Sequence, residues 1–592
     1  MENVIVGKVR LLALLVFLFG VAGMLPAQTK WMNPMDGDVP CISGRAWNAE
    51  TGRKYNRLPE RLKAVVPEKV WGNSTLTAGL SVRFATTSRN ISVRFVCANR
   101  HYGTYNMSGI DHSGVDLYGK TVDGATHWIA SHMNWRQTGD TMTVSFPDLT
   151  LPSARGLEYT LYLPNYNGVK WLAVGVDGDS QFQFIPQSEE RPVVFYGSSI
   201  IHGASPSRPG MSITNIVERE TEYPVINLGF SGSAYMEQSV FDMLGEINAR
   251  AFIIDPIPNS YSLPDSTITA RAIAGVRTLR GKSNAPVLLS ECHPIPDSLF
   301  RGDVAARYRR ANIALRRAYD ELKAAGCANL FYMHSSEIGI GEDDMIEGTH
   351  PNDLGCRAYA EAYKRKLHEM LPEDAPDPRY PPVTQRRDGC YEWRLRHNEV
   401  IERNRTTNPE ILMIGNSITN FWGGMPSCKV CYGGDTWRLF GKRRVTNMGF
   451  GYDRIENVYW RIFHGELEGC SPKHICLLIG INNYSDTEED IAGGVVRLAR
   501  LIRQRQPQAR LHIIKLLPAK GKEEKIARVN ALIDRLWSSV ADPLADITDL
   551  TPSLVLGDGS GRVDPACFRG DGLHPNERGY ERIARVLART IK

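Results

Sequence analysis

The chain has 592 residues, 42% of them hydrophobic and 23% charged, with a formal net charge of +5 and a mean hydropathy of −0.28. That length exceeds what one hydrophobic core can organise and implies three or four domains. The balance of 70 basic against 65 acidic residues, with no basic cluster, argues against nucleic acid as a partner.

Lys8 and Arg10 precede an apolar run from Leu11 to Leu25, which ends at Pro26-Ala27-Gln28. A basic start, about 15 apolar residues and a small exit residue describe a secretory signal peptide over residues 1–27. The expected product is periplasmic or extracellular. The run is short for a membrane span, no cysteine follows it closely enough to carry a lipid, and no later segment is apolar enough to cross a bilayer. Over residues 28–185, Leu80, Val82 and Phe84 alternate with polar residues, as do Ile91, Val93 and Phe95, and then Leu157, Tyr159, Leu161 and Leu163. This period of two predicts antiparallel strands with one buried face, read as a jelly-roll-like β-sandwich.

The pattern changes at Val193, where Val-Val-Phe-Tyr is a continuous apolar run suited to a strand buried on both faces. Val304, Tyr308, Ala311, Leu315, Ala318 and Leu322 fall at helical spacing, with Asp303 as the expected cap and Gly326 as the expected stop. Strands near 251–254 and 286–289 alternate with such helices, so residues 186–372 predict an α/β unit on a parallel sheet. Five prolines between Pro372 and Pro382 mark a stiff linker, placed at 373–386. A second α/β pattern fills 387–592, with buried strands at 411–414 and 475–479, a helix at 491–505 and a closing helix near 582–590. The fold class is thus multidomain: a β-sandwich followed by two flavodoxin-like α/β units. The 11 cysteines have no spacing that forces a pairing, and Cys428-x-x-Cys431 has no second pair to make a zinc site. Mostly buried thiols with one or two bridges are expected.

Two short motifs recur in the same order. Gly197-Ser198-Ser199-Ile200 precedes Glu347-Gly348-Thr349-His350, and Gly415-Asn416-Ser417-Ile418 precedes Asp571-Gly572-Leu573-His574. The serine-to-histidine intervals are 151 and 157 residues. A hydroxyl, a base and an acid to orient the base are the parts of a nucleophilic hydrolase. Each serine follows a predicted strand, and in open α/β sheets ligands bind beyond the carboxyl ends of strands.

In the second unit, the blocks around Ser417, Asn447–Asp453, Gly480–Asn483 and Asp571–His574 resemble the SGNH (GDSL) hydrolase superfamily. The likeness is closest to the platelet-activating-factor acetylhydrolase catalytic subunits, through Asn447–Glu468 and Arg505–Pro518 as well. The resemblance implies Ser417 as nucleophile, His574 as base, Asp571 as its orienting acid and Asn482 as an oxyanion donor. Tyr452 stands where the family has a glycine whose backbone N–H is the second donor. Tyrosine keeps that backbone N–H, and its ring is expected to narrow the pocket. In the first unit the same alignment implies Ser199, His350 and Glu347, with Gly232 and Asn259 at the oxyanion hole. Glu347 replaces the usual Asp, and the Asp255–Asn259 run replaces the usual Gly-x-Asn. This half is similar to SGNH acylesterases that carry an amino-terminal β-sandwich. The serine-to-oxyanion intervals are 33 and 35 residues, serine to asparagine 60 and 65, and asparagine to histidine 91 and 92. His202 is expected to support the first site, and His293 and His334 to be structural. Trp422 and Tyr484 are read equally as pocket lining or as core.

This reading predicts a secreted serine acylesterase that removes short acyl groups, acetyl above all, from carbohydrate, and that uses neither cofactor nor metal. The expected partner is an acylated carbohydrate or another small ester. Two alternatives stand beside it: an esterase acting on lipid, and a glycan-binding protein with one inert hydrolase unit.

Overall fold

The computed structural model describes residues 29–37, 41–121, 125–136, 139–150, 157–296, 298–371 and 393–591. The signal segment and the proline-rich linker read from the sequence lie outside them.

The amino-terminal module holds strands β1 (Thr29–Met32), β2 (Ile42–Ser43), β3 (Ser81–Thr86), β4 (Ile91–Cys97), β5 (Val115–Lys120), β6 (Thr126–His132), β7 (Thr141–Phe146), β8 (Leu157–Tyr162), β9 (Val169–Asp177) and β10 (Phe182–Phe184). Among the described residues they form two antiparallel sheets, ordered β1-β9-β4-β7 and β10-β3-β8-β5-β6, with β2 beside β3. The alternation seen in the sequence sets the register. Val82 pairs with Leu161 and Phe84 with Tyr159, all inward, while Ile91, Val93 and Phe95 of the other sheet join the same buried cluster. Phe84 and Tyr159 stack at 5.4 Å between ring centroids, a cross-strand aromatic pair.

Residues between β2 and β3 follow a different course. They lack the alternation, and they form short helices at Glu60–Ala64 and Glu68–Ser74. Trp47, Leu58, Leu62, Val66 and Val70 are buried in one cluster with Val194, Tyr196 and Phe230. This stretch, placed with the β region by sequence, completes the core of the first α/β unit instead.

That unit contains β11 (Val193–Gly197), β12 (Val225–Gly229), β13 (Ala251–Asp255), β14 (Val287–Ser290) and β15 (Leu330–Met333), all parallel, in the order β12-β11-β13-β14-β15. The second unit contains β16 (Ile411–Gly415), β17 (Val445–Gly449), β18 (His474–Leu478), β19 (Arg510–Ile514) and β20 (Ala545–Thr548), in the matching order β17-β16-β18-β19-β20. The chain reverses its direction of travel across each sheet at the first strand, which opens a crevice at that strand's carboxyl end. The helix expected around Val304 spans Gly302–Ala324. Arg301, not Asp303, occupies its cap position, and Asp303 lies in the first turn, where a carboxylate complements the helix dipole.

The two α/β units are docked through buried charge. Glu190, just ahead of β11, accepts from His464 Nδ1 at 2.7 Å and stands 3.6 Å from His397 Nε2. Arg191 forks onto Glu468 at 2.7 and 3.0 Å. Trp460 donates its indole N–H to Glu222 of the first unit. No disulfide joins the described cysteines, so the one or two expected bridges are not found there; Cys292, Cys356 and Cys476 are buried thiols. No described helix is long and apolar enough to cross a membrane.

Candidate active sites

Each parallel sheet ends its first strand in glycine, and each glycine leads through one capping residue into a four-residue helix. In the first unit Ser198 Oγ accepts from Ile200 N, which caps Ser199–His202. In the second Asn416 Oδ1 accepts from Ile418 N at 2.9 Å, which caps Ser417–Asn420. Capping places Ser199 and Ser417 in the first helical turn, at the mouth of the crevice. The turns need room from the neighbouring strand. A Cβ on Gly229 would lie 2.2 Å from His202 N, and one on Gly449 would lie 2.2 Å from Asn420 N. Only glycine fits at either strand end.

The serines meet the predicted histidines. Ser199 Oγ lies 2.7 Å from His350 Nε2, and Ser417 Oγ lies 2.9 Å from His574 Nε2. His350 Nδ1 bonds Glu347, and His574 Nδ1 bonds Asp571 Oδ2 at 2.7 Å. With Nδ1–H given to the carboxylate, Nε2 is left to accept the serine hydroxyl. Both serines are nearly buried, at 7% and 8% exposure, so the pairs sit at the floor of their crevices. Asp571 also takes backbone N–H bonds from Leu573 and His574, at 2.9 and 3.0 Å, which lock the loop into its turn. Burial pushes the Asp571 carboxyl up, but His574 and those N–H groups outweigh it and hold it below the usual range. Glu347 behaves alike: burial raises it, while His350, Asn106 and the Thr349 N–H bring it below the carboxylate norm. Both acids therefore stay ionised and hold their imidazoles.

The two positions expected to supply the oxyanion N–H are equivalent in backbone. Gly232 has φ +62°, and Tyr452 has φ +61°, so the tyrosine takes the left-handed turn that glycine takes in the first unit. Asn259 Oδ1 accepts from Ala234 N at 3.1 Å, which leaves its amide nitrogen as the available donor. Asn482 spends one amide hydrogen on Asp453 O at 2.9 Å and keeps the other. Arg461 ties the second site together: it reaches Asp453 Oδ2 at 2.8 Å and the Gly415 carbonyl at 3.4 Å, while Trp393 bonds Asp453 Oδ1 at 2.9 Å. The turn that carries Ser417 and the loop that carries Tyr452 thus share one guanidinium.

His202 is fully buried. Its Nε2–H donates to Asn165 O at 3.0 Å and its Nδ1 accepts from Ser231 N, so it braces the Gly232 loop in the neutral form. Burial holds it well below the ordinary histidine range. His293 bonds Tyr359 at 2.8 Å, and burial lowers it to about 4. His334 lies at the surface beside Arg316. Trp422 is core, stacked on Tyr580 and bonded to Thr436. Tyr484 lies beneath Lys522 and Lys525.

Several neighbours of the sites carried no sequence signal. Phe421 and Tyr432 flank the His574 ring at 5.4 and 6.1 Å. Arg57 bonds the carbonyls of Asn227 and Gly229 at 3.0 and 2.9 Å, and Arg396 does the same for Asn447 and Gly449 at 3.1 and 2.8 Å. These paired arginines show that the segment around residue 57 plays the part in the first unit that the helix Trp393–Thr407 plays in the second. In the β module, Tyr166 stacks on His202 at 4.3 Å and Asn106 approaches Glu347. The run Gly114-Val115-Asp116-Leu117-Tyr118 docks the module: Asp116 accepts from Arg208 and from Gly210 N, each at 2.9 Å.

Models of the GDSL-like lipase/acylhydrolase family match residues 190–368 and again 413–582, together more than half of the chain. The chain belongs to that family. It is an SGNH-type serine esterase whose hydrolase domain occurs twice in tandem. A further model, described as the N-terminus of an SGNH-hydrolase-type esterase and named for a Gly-x-Asp-Leu-Tyr run, matches residues 29–182. Among curated relatives, platelet-activating factor acetylhydrolase IB subunit alpha1 of Pongo abelii is 32% identical over 224 residues, covering 37% of this chain and 90% of the relative. The alpha2 subunit of Rattus norvegicus is 31% identical over 203 residues, covering 34% and 83%. The crystal structure of a GDSL-like lipase candidate from Bacteroides ovatus superimposes with a TM-score of 0.53 at 29% identity, covering 58% of this chain and 98% of that one.

Proposed function

We propose that this SGNH esterase is exported and removes short acyl groups, acetyl foremost, from carbohydrate at two serine sites. Ser199 and Ser417 are the nucleophiles, His350 and His574 the bases, and Glu347 and Asp571 the acids that hold the bases in register. The observation that carries this is the pair of Oγ to Nε2 contacts, 2.7 and 2.9 Å, each backed by an acid on Nδ1. Histidine accepts the hydroxyl proton as Oγ attacks the ester carbonyl. The charge on the carbonyl oxygen is met by the backbone N–H of Gly232 or Tyr452 and the amide of Asn259 or Asn482. Each such donor is worth about 2.7–4 kcal/mol in the transition state. The same histidine then protonates the leaving alcohol and draws a proton from the water that frees the acyl group.

A short acyl group fits the second site, where the Tyr452 side chain stands at the oxyanion loop, and it agrees with relatives named acetylhydrolases. Carbohydrate is supported by the amino-terminal module. We read its two sheets, which share one core, as a β-sandwich docked beside the first site. Export rests on the basic-then-apolar leader. Acetate release from acetylated xylan tests the reading: Ser199→Ala and Ser417→Ala should each remove part of the activity, and the double variant should lose at least a thousandfold. Full activity in the double variant would sink it. The relatives' name favours a second reading, a lipid ester substrate. Octanoyl nitrophenyl esters cleaved faster than acetyl ones would select it.

A further inference from the structure

We propose that Asn106, in the β module, is a positioning residue of the first active site, so that the catalytic group of residues there is completed across a domain boundary. The inference rests on the reading of Ser199, His350 and Glu347 as that site's triad.

Asn106 lies in the loop that follows β4. Its Nδ2 stands 3.5 Å from Glu347 Oε1 and 3.4 Å from His350 Nδ1. Because Nδ1 carries the proton it gives to Glu347, the amide has one acceptor here, the carboxylate. The amide is held the right way round: Thr104 Oγ1 donates to Asn106 Oδ1 at 2.9 Å, which directs the NH2 group at Glu347. The loop is in turn pinned to the first α/β unit. Ser108 Oγ donates to Ser207 O at 2.7 Å, and Ser207 binds Asp353 through its N–H at 2.7 Å and its hydroxyl at 2.6 Å.

The need for this contact follows from the acid. Glutamate has one more rotatable bond than the aspartate of the second site, and Asp571 is held by two backbone N–H groups. Glu347 has one such N–H, from Thr349 at 3.3 Å, and it reaches the other carboxylate oxygen. In both sites the backbone N–H groups bond the oxygen turned away from the histidine, two on Asp571 and one on Glu347; the Asn106 amide makes up the second restraint, on Oε1, the oxygen that faces His350. A donor there fixes the carboxylate plane, and so fixes the imidazole that receives the serine proton. At the second site Asp571 is held by its own loop.

The test uses the full chain, with the other site as internal control. In a Ser417→Ala background, 4-nitrophenyl acetate hydrolysis reports the first site. Asn106→Ala should lower kcat about tenfold with KM within twofold. Asn106→Asp keeps the size but cannot donate when ionised, and should fall at least as far. Thr104→Val frees the amide to rotate and should give a smaller loss of about threefold. In a Ser199→Ala background the same three changes should leave the second site's kcat unaltered, which separates positioning from misfolding. Parent-like kcat in both Asn106 variants, or equal losses at both sites, would overturn the proposal. Undiminished activity in Ser199→Ala Ser417→Ala would instead overturn the triad reading on which it rests.

Discussion

At the scale of single residues, the two sites solve one problem with different parts. The first unit places glycine at the left-handed turn of the oxyanion loop, and the second places Tyr452 there with the same φ. For an L-residue that conformation costs about 1–2 kcal/mol. The ring recovers little by burial, being 51% exposed. Strain kept at such a position points to a use for the side chain. Tyr452→Gly should therefore stabilise the fold by about 1 kcal/mol in urea unfolding, and it should raise butyrate cleavage relative to acetate several-fold. Unchanged chain-length preference would show that the ring does not bound the acyl pocket. The acids differ as well. Glu347 and Asp571 both reach their histidines, but the shorter side chain is held by its own loop and the longer one needs help from outside.

Among elements, the crevice depends on a strand end lying against a four-residue helix. Gly449 pairs with Gly415 in the parallel register, directly beside the nucleophile turn. A methyl group at Gly449 would strike Asn420 N and the Thr419 carbonyl carbon, both backbone atoms that cannot rotate away. Gly449→Ala should push the Ser417 helix outward, cost about 1–3 kcal/mol and lower turnover at the second site at least a hundredfold. The Ser199 site should keep its activity. Peptide mapping of a serine-reactive fluorophosphonate would read both outcomes: label retained on Ser199 and lost from Ser417. Equal labelling of Ser417 would mean that the helix tolerates the displacement. The same geometry recurs at Gly229 and Gly197, so the mirror substitution should give the mirror result.

For the whole molecule, the docking of the two α/β units rests on Glu190. Its carboxylate is fully buried between His464 and His397, and His397 also bonds Glu466 at 2.9 Å. Burial pushes Glu190 up, but the two histidines pull it far below the usual carboxylate range. Burial likewise lowers His397, while Glu190 and Glu466 raise it overall. The signs follow. Stability from Glu190 is present above its unfolded value, about 4.3, and is lost as pH falls through the folded one. Stability from His397 is present below about 6.5 and is lost as pH rises through its raised folded value. Removing one partner of a buried ion pair costs about 3–5 kcal/mol. Glu190→Ala should therefore lower the Tm in calorimetry and let the second unit melt separately. It should also flatten the fall in Tm that the parent protein shows below about pH 4. A single, parent-like transition in the variant would show that the other contacts, such as Arg191 to Glu468, suffice for docking.

The sequence by itself determined the elements whose signal is local. Period-two alternation gave the β strands, continuous apolar runs gave the buried parallel strands, and the motif pairs stood at matching intervals because each unit repeats one chain path. The family followed from those blocks. Only tertiary structure decided what depends on residues far apart in the chain. The stretch from Trp47 to Val70 carries no strand or long-helix pattern, so nothing local assigns it to the core of the first unit, where its apolar side chains find their partners. Arg57 and Arg396 look like any other arginine until they meet the carbonyls beside each oxyanion loop. Asn106 stands 241 residues before Glu347, and Glu190 stands 274 before His464; only folding brings either pair together, since hydrogen bonds and ion pairs act over a few ångströms and leave no periodic trace in the chain.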